Sequence, residues 1–200
     1  MRNILSIVTA LLVFSPVGMS FAQTDDSSGA DSDVIDHGEL SRLLSEFVDQ
    51  EGAIAYGQWH SDAEAMRRLD TYVRNISEAE VGGHSRDSKL AFYLNAYNAI
   101  VIDEILERWP VDSPRDIDGF FDGIQHTVAG SSVTLDKLEH KIIRPEFDEA
   151  HIHFVLVCAA KSCPRLRQRA LTAQNLEETL ESAAREFVPR VTELEKSGTE

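Results

Sequence analysis

Residues 88–108, SKLAFYLNAYNAIVIDEILER, limit how this chain can fold more than any other stretch. Apolar side chains occupy nearly every side of a helix drawn through them, so no wide polar stripe is left to face water. A helix that is apolar all round belongs in the interior of a protein. We therefore expect one buried helix with the other elements packed around it.

Two asparagines, Asn95 and Asn98, interrupt this apolar helix three residues apart. Residues at that spacing project from the same side of a helix. A buried amide without a hydrogen-bonding partner costs about 1–3 kcal/mol, so both side chains need partners. Two interpretations are open: the amides tie a neighbouring loop to the helix, or they belong to a functional site.

A second apolar stretch, His151–Leu166 (HIHFVLVCAAKSCPRL), contains both cysteines of the chain. Its run 152–157 is β-branched and aromatic on both faces, which is typical of a strand inside a sheet. Pro164 suits the first position of a helix. Cys163 would then lie at a helix start, where the helix dipole favours the thiolate. Any thiol chemistry of this protein must take place here.

The first 22 residues have the pattern of a signal peptide, with an apolar run at Ile4–Val13 and a small-x-small cleavage site at Ser20–Ala22. That run is too short to predict a membrane span in the mature chain. Residues 23–36 are acidic and rich in serine, which is typical of a disordered spacer. We therefore expect a periplasmic or secreted protein whose single globular domain covers residues 37–200.

The formal net charge of −15 argues against nucleic acid and anionic membrane surfaces as partners. We expect this acidity to be spread over surfaces that face solvent. The partner class that is left is a small-molecule or peptide ligand of unknown identity. No motif in the chain predicts a cofactor.

The rest of the sequence predicts an α+β fold, with a small central sheet packed with helices. Apolar periodicity predicts helices from Gly38 to near Gly52, from a capping box at Ser61–Glu64 to Ile76, from Thr134 to Arg144 and from Leu176 to Phe187. Val128 and Val133 flank the turn residues 129–132, which predicts a β-hairpin.

The histidines and cysteines around the second apolar stretch do not predict a metal site. On a strand, His151 and His153 share one face and Cys158 lies on the other, about 16 Å from His153. Zinc ligands must all lie within about 2.0–2.3 Å of one ion. The same separation argues against His153 as a base for a Cys158 nucleophile, because a base must reach hydrogen-bonding distance.

The leading functional hypothesis is a thiol-dependent hydrolase or acyl-transfer enzyme that acts on peptide or amide substrates in the cell envelope. In it, Cys163 is the nucleophile and His140 carries the proton, because the helix that contains His140 comes directly before the cysteine stretch. Asn95 or Asn98 would orient the histidine or donate to an oxyanion.

The alternative is a non-catalytic envelope binding module with a structural disulfide between Cys158 and Cys163. An oxidising compartment favours such a bond. A cluster of Asn, His and Arg side chains would then recognise a ligand or hold the core together. A redox-active thiol and inert buried thiols are open possibilities as well.

Three segments in this order and spacing, FYLNAYNAIVI (92–102), VTLDKLEHKIIR (133–144) and HFVLVCAAKSCPRL (153–166), resemble the bacterial family catalogued as domain of unknown function 547. The resemblance extends over roughly residues 85–190. It implies no activity, since the family's name records that none is established. It implies that the following residues lie in the family's signature segments: Asn95, Tyr97, Asn98, Glu139, His140, Arg144, His153, Cys158, Cys163 and Pro164.

Overall fold

The computed structural model describes the backbone of residues 32–158 and 164–197, and the side chains of residues 32–158 and 164–187. The predicted signal peptide, most of the predicted spacer and Cys163 lie outside the described residues. Ser32 already contacts the domain, because its carbonyl accepts a hydrogen bond of 2.7 Å from the Ser88 hydroxyl. Contacts with the domain therefore begin a few residues before the predicted boundary at residue 37.

The fold class predicted from the sequence, α+β, is confirmed. The first half consists of helices α1 (Gly38–Phe47), α2 (Tyr56–Ser61), α3 (Ala63–Glu78) and α4 (Arg86–Glu107). A hairpin of β1 (His126–Val128) and β2 (Ser131–Val133) leads into α5 (Leu135–Lys137), a π-helical segment Leu138–Ile143 and α6 (Arg144–Phe147). A 3-10 turn Ala150–Phe154 and the long helix α7 (Leu176–Ser197) complete the described chain.

Helix α4 is the interior helix that the sequence predicts. Nearly all of its side chains are buried. Most of the buried side chains are apolar, and the polar ones include Asn95, Asn98 and Glu104. The helix begins at the cap residue Ser85, whose hydroxyl accepts a hydrogen bond of 3.2 Å from the Ser88 backbone N–H. Helices α2 and α3 and the π-helical segment pack around it.

The hairpin lies at the end of α3 and is less central than we expected. Ala129 and Gly130 form its turn with positive φ angles of 48° and 71°. Their backbone N–H groups donate to the carbonyls of Ile76 and Ser77 at 3.0 and 2.9 Å. The turn therefore satisfies two of the carbonyl groups that a helix C-terminus leaves without intrahelical partners.

The predicted strand at residues 152–157 is wrong. The first part forms the 3-10 turn, and residues 155–157 continue without regular secondary structure. The side chains of Ile152, Val155, Leu156 and Val157 are nevertheless buried, so the apolar pattern predicted burial correctly and strand pairing incorrectly. The helix that we expected to open at Pro164 is also absent, because residues 164–167 have no regular secondary structure.

Helix caps explain where two other helices begin. The carboxylate of Asp62, rather than the expected Ser61, accepts from the backbone N–H groups of Glu64 and Ala65 at the start of α3. Thr134 caps α5 as predicted, through a hydrogen bond of 3.1 Å from the Lys137 N–H. Within the described residues, no helix is both long enough and apolar enough to cross a bilayer.

Candidate functional site

Asn98 binds the backbone on the N-terminal side of the cysteine-containing segment. Its Nδ2 donates to the Val155 carbonyl at 2.9 Å, and its Oδ1 accepts from the Val157 N–H at 3.0 Å. A carbonyl and an N–H two residues further along are the groups that a neighbouring parallel strand would bond, although Val155 itself closes the 3-10 turn. Asn98 therefore replaces the strand partner that the sequence pattern predicted for this segment.

Asn95 binds the backbone on the other side of the cysteines in the same way. Its Nδ2 donates to the Leu171 carbonyl at 2.7 Å, and its Oδ1 accepts from the Leu171 N–H at 3.0 Å. Asn95 is 2% exposed and Asn98 is 6% exposed, so both side chains are interior. We call Asn95 and Asn98 the asparagine clamps. Of the two interpretations that the sequence allowed, the structure matches the one in which the amides tie neighbouring segments to the helix.

Other contacts fix the backbone of residues 165–170 on the surface of α1 and the loop that follows it. Gly52 has a φ of +80°, and a Cβ there would lie 2.8 Å from the Leu166 backbone nitrogen. Gln168 Nε2 donates to the Val48 carbonyl at 2.5 Å. The Ala170 N–H donates to the Ser41 hydroxyl at 3.1 Å. Both sides of the cysteine-containing segment are thus attached to helical parts of the domain.

Four residues of the three resembling segments come together where the π-helical segment meets α4. Arg144 donates from Nε and Nη2 to Glu139 Oε1 at 3.0 and 2.6 Å. Arg144 Nη2 also lies 3.4 Å from Nδ1 of His153. Burial raises the pKa of the neighbouring Tyr97 hydroxyl, and the negative charge of Glu139 raises it further. We call Tyr97, Glu139, Arg144 and His153 the signature cluster.

The π-helical segment is the reason that Glu139 meets Arg144. In an α-helix, residues five apart point in clearly different directions, at about 100° per residue. The i→i+5 hydrogen bonding of a π-helix brings residues five apart onto one side, and the Arg144 N–H donates to the Glu139 carbonyl in this way. Pro145 is the local cause we infer, because proline lacks an N–H and its ring clashes with the carbonyl four residues before it.

His140 lies apart from the signature cluster. It is exposed, and its Nε2 lies 3.7 Å from Asp136 Oδ1, one helical turn back. On an ideal α-helix, His140 and Arg144 would lie together on one flank, since they are four residues apart. The π-helical hydrogen bonding instead pairs Arg144 with Glu139. Pro145 was the sequence signal that this segment departs from an α-helix.

The cysteines were the centre of the sequence-based hypothesis. Among the residues that it describes, the structure records no free cysteine. Cys163 lies outside those residues, so its pairing with His140 stays a prediction. The argument that separated His153 from Cys158 by about 16 Å assumed a strand. That argument is wrong, since this stretch is not a strand.

Sequence reasoning missed a second polar cluster at the C-terminal end of α4. Glu104 Oε2 lies 2.6 Å from Arg108 Nη1, and Glu104 Oε1 lies 3.6 Å from His126 Nδ1. Burial lowers the pKa of His126, and the nearby Arg108 charge lowers it further. Burial raises the pKa of the adjacent Asp103 to about 7. The available signal was a pair of carboxylates, Asp103 and Glu104, within an otherwise apolar helix.

Neither cluster contains the ligands of a metal centre. Within residues 32–158 and 164–197, no group of three His, Cys, Asp or Glu side chains is arranged to hold an ion. The chemistry that the signature cluster offers is hydrogen bonding and charge recognition by Arg144, His153 and Tyr97.

A profile described as "Protein of unknown function, DUF547" matches residues 81–188. Neither a curated protein nor a solved structure matches the chain. The profile includes the asparagine clamps and the whole signature cluster. Because this match covers more than half of the 200 residues, the chain belongs to the DUF547 family.

Proposed function

We propose that this protein is an exported, non-catalytic binding domain of the cell envelope, which recognises a small molecule or a peptide through the signature cluster. The observation that carries the proposal is that some residues of the signature segments are buried and hydrogen-bonded, whereas others are exposed. Asn95 and Asn98 are buried and occupied by backbone hydrogen bonds. Arg144 and His153 are exposed and can contact a ligand.

Arg144 retains hydrogen-bonding capacity after its contacts within the domain are counted. A guanidinium group has five N–H donors in a rigid, planar arrangement. Nε and Nη2 face Glu139 and His153, which leaves Nη1 without a recorded partner among the described residues. The Arg144 side chain is 41% exposed, and Glu139 fixes its orientation. A carboxylate or a peptide carbonyl is the ligand group that such a donor suits.

The proposal includes a structural disulfide between Cys158 and Cys163. Two observations support it: the signal-peptide pattern, from which we expect export to an oxidising compartment, and the absence of a free cysteine among the described residues. In this proposal the disulfide and the asparagine clamps hold one segment in place, and neither takes part in catalysis.

The second candidate function is the thiol-dependent hydrolase, with Cys163 as nucleophile and His140 as base. The exposed imidazole of His140 favours it, because a catalytic base must be accessible. The proposed role of Asn95 or Asn98 as oxyanion donor has weaker support. Each Nδ2 already donates to a carbonyl, and each Oδ1 already accepts from a backbone N–H.

Thiol titration of the folded, unreduced protein separates the two functions. The binding-domain proposal expects no reactive thiol before reduction and two after reduction in denaturant. Two reactive thiols in the folded, unreduced protein would contradict the disulfide and would favour the hydrolase.

A peptide-binding screen tests the role of the signature cluster. We expect the wild-type protein to select peptides from a random hexapeptide library with free carboxyl termini, and Arg144→Gln to lose this selection. Arg42→Gln is the matched control, since Arg42 is an exposed arginine that also pairs with a glutamate, Glu39. Equal selection by Arg144→Gln and the wild-type protein would contradict the proposal.

A further inference from the structure

An open cleft of about 330 Å³ lies between the backbone of residues 167–169 and the first turns of α7. Its charged lining residues are Arg167, Arg169 and Glu178. Amide and hydroxyl side chains complete the lining: Gln168, Asn175, Thr179 and Ser182. The cleft shares no residue with the signature cluster, so it is a separate site.

Two opposite charges in this cleft face solvent and have no ion-pair partner among the described residues. Arg169 and Glu178 are both exposed, and neither forms a hydrogen bond or an ion pair with any residue that the structure describes, including each other. Nearby charges behave differently, since Arg167 pairs with Glu186 and Arg185 pairs with Glu181. The cleft therefore presents one cation and one anion that have no partner in the described protein.

Arg167 also lines the cleft, but its terminal nitrogens already have partners. Its Nη1 donates to Glu186 at 2.9 Å and its Nη2 donates to Ser182 at 3.4 Å. Its Nε is buried and has no hydrogen-bonding partner among the residues that the structure describes. Arg167 is therefore held within the domain, and Arg169 and Glu178 are the charged side chains of the cleft that are left to contact a ligand.

We propose that this cleft binds a small polar zwitterion of the α-amino acid class. Arg169 would bind the carboxylate, because a guanidinium matches two carboxylate oxygens. Glu178 would bind the ammonium group. The amide and hydroxyl groups that line the cleft would bind a polar side chain. A simple anion would be repelled by Glu178 and a simple cation by Arg169, so only a ligand that carries both charges matches both residues.

The cleft lies next to one of the asparagine clamps. Arg169 is two residues before Leu171, whose backbone is bound on both sides by Asn95. Ligand binding at Arg169 thus acts on a backbone that is already fixed, which reduces the ordering cost of binding.

The test measures binding of L-glutamine, L-serine and glycine to the full-length protein by saturation-transfer NMR, with dissociation constants from titration. We expect L-glutamine to bind, and N-acetyl-L-glutamine and L-glutamine α-amide to bind at least tenfold more weakly. Absence of binding by all three amino acids would overturn the proposal, as would equal binding of L-glutamine and its two derivatives.

Variants assign each charge of the ligand to a residue. Arg169→Gln and Glu178→Gln should each weaken L-glutamine binding at least tenfold. The Glu178→Gln variant should bind N-acetyl-L-glutamine as well as it binds L-glutamine, because its contact with the ammonium group is already lost. The Arg169→Gln variant should likewise bind L-glutamine α-amide as well as L-glutamine, because its contact with the carboxylate is already lost. Arg185→Gln, on the same helix but outside the cleft, should bind as the wild-type protein does. Wild-type affinity in both Arg169→Gln and Glu178→Gln would overturn the proposal.

Discussion

The middle and the C-terminal end of helix α4 bury polar groups in two different ways. In the middle, the asparagine clamps each make two hydrogen bonds with backbone groups of segments distant in sequence. At the end, Glu104 lies close to Arg108 and His126, and the buried Oδ1 of Asp103 has no hydrogen-bonding partner within the described part of the chain.

The difference follows from the chemistry of the two groups. A carboxamide has both a donor and an acceptor, so a single stretch of backbone can satisfy it. A carboxylate only accepts and is charged, so it needs cations or several donors, and burial without them raises its pKa. The middle of α4 should therefore be insensitive to pH, whereas its C-terminal end should be sensitive to pH near neutrality.

The largest effect on stability is expected when a carboxylate, the group found at the C-terminal end of α4, replaces the amide of a clamp. Asn98→Asp can accept from Val157 but, when ionised, cannot donate to the Val155 carbonyl. We expect a loss of about 3–5 kcal/mol in the free energy of unfolding at pH 8. The loss should shrink at pH 4–5, where the protonated carboxyl donates again. Urea denaturation across this pH range measures it, and a loss independent of pH would contradict the comparison.

Removal of the amide should cost less than replacement by a charge. Asn98→Ala leaves the Val155 carbonyl and the Val157 N–H unpaired, and we expect a loss of about 2–3 kcal/mol at all pH values. Asn75→Ala is the matched control, because Asn75 is exposed on α3. Its effect should stay within about 0.5 kcal/mol. An equal loss of stability in Asn98→Ala and Asn75→Ala would contradict the structural role of the clamp.

Asp103→Asn should stabilise the protein at alkaline pH. The pKa of Asp103 is about 7 in the folded protein against 3.8 for an ordinary aspartate, so the folded state retains a proton that the unfolded state releases. Stability is therefore lost as pH rises from about 4 through 7. We expect Asp103→Asn to gain about 1–3 kcal/mol at pH 8, since solvent screens part of the effect, and little at pH 4.

Asp122→Asn is the control for that experiment, because Asp122 is an exposed aspartate that pairs with no cation among the described residues. Thermal unfolding at pH 4, 6 and 8 compares the two variants. If Asp103→Asn and Asp122→Asn have the same pH profile, Asp103 is not the source of the pH sensitivity.

The smallest effect is expected from His126. Its pKa is lowered in the folded protein, so the unfolded state takes up a proton first as pH falls below about 6.5, and stability is lost on the acidic side. His126→Gln should flatten this slope by less than about 1 kcal/mol. The measurement needs the Asp103→Asn background, because Asp103 has the opposite pH dependence. His140→Gln is the matched substitution at an exposed histidine outside this cluster.

The sequence was sufficient to predict the interior position of α4, because apolar residues on every side of a helix have only one stable location. It also predicted that Asn95 and Asn98 need buried partners. It could not identify those partners, which lie 57 to 76 residues further along the chain. Residues 152–157 were predicted as a strand because their apolar pattern indicates burial, and a buried strand has the same pattern. The partner of their backbone is a side chain, and periodicity contains no information about it.

The signature cluster was predictable only in part. Its residues were selected by the family resemblance, but the hydrogen bonds of a π-helix decide which of them meet. An ideal wheel with 3.6 residues per turn groups His140 with Arg144. Only the effect of Pro145 on the preceding turn changes that grouping, and such an effect depends on local backbone strain rather than on hydrophobic pattern.

The spacing of the asparagine clamps has a consequence for the segment that contains both cysteines. Three residues of α-helix rise about 4.5 Å, close to the 4.7–4.9 Å that separates neighbouring strands of a sheet. Helix α4 thus offers two attachment points at nearly strand spacing, one for the backbone on each side of the cysteine-containing segment. Because both attachment points are amides, their hold on the two ends of this segment does not depend on the redox state of the cysteines.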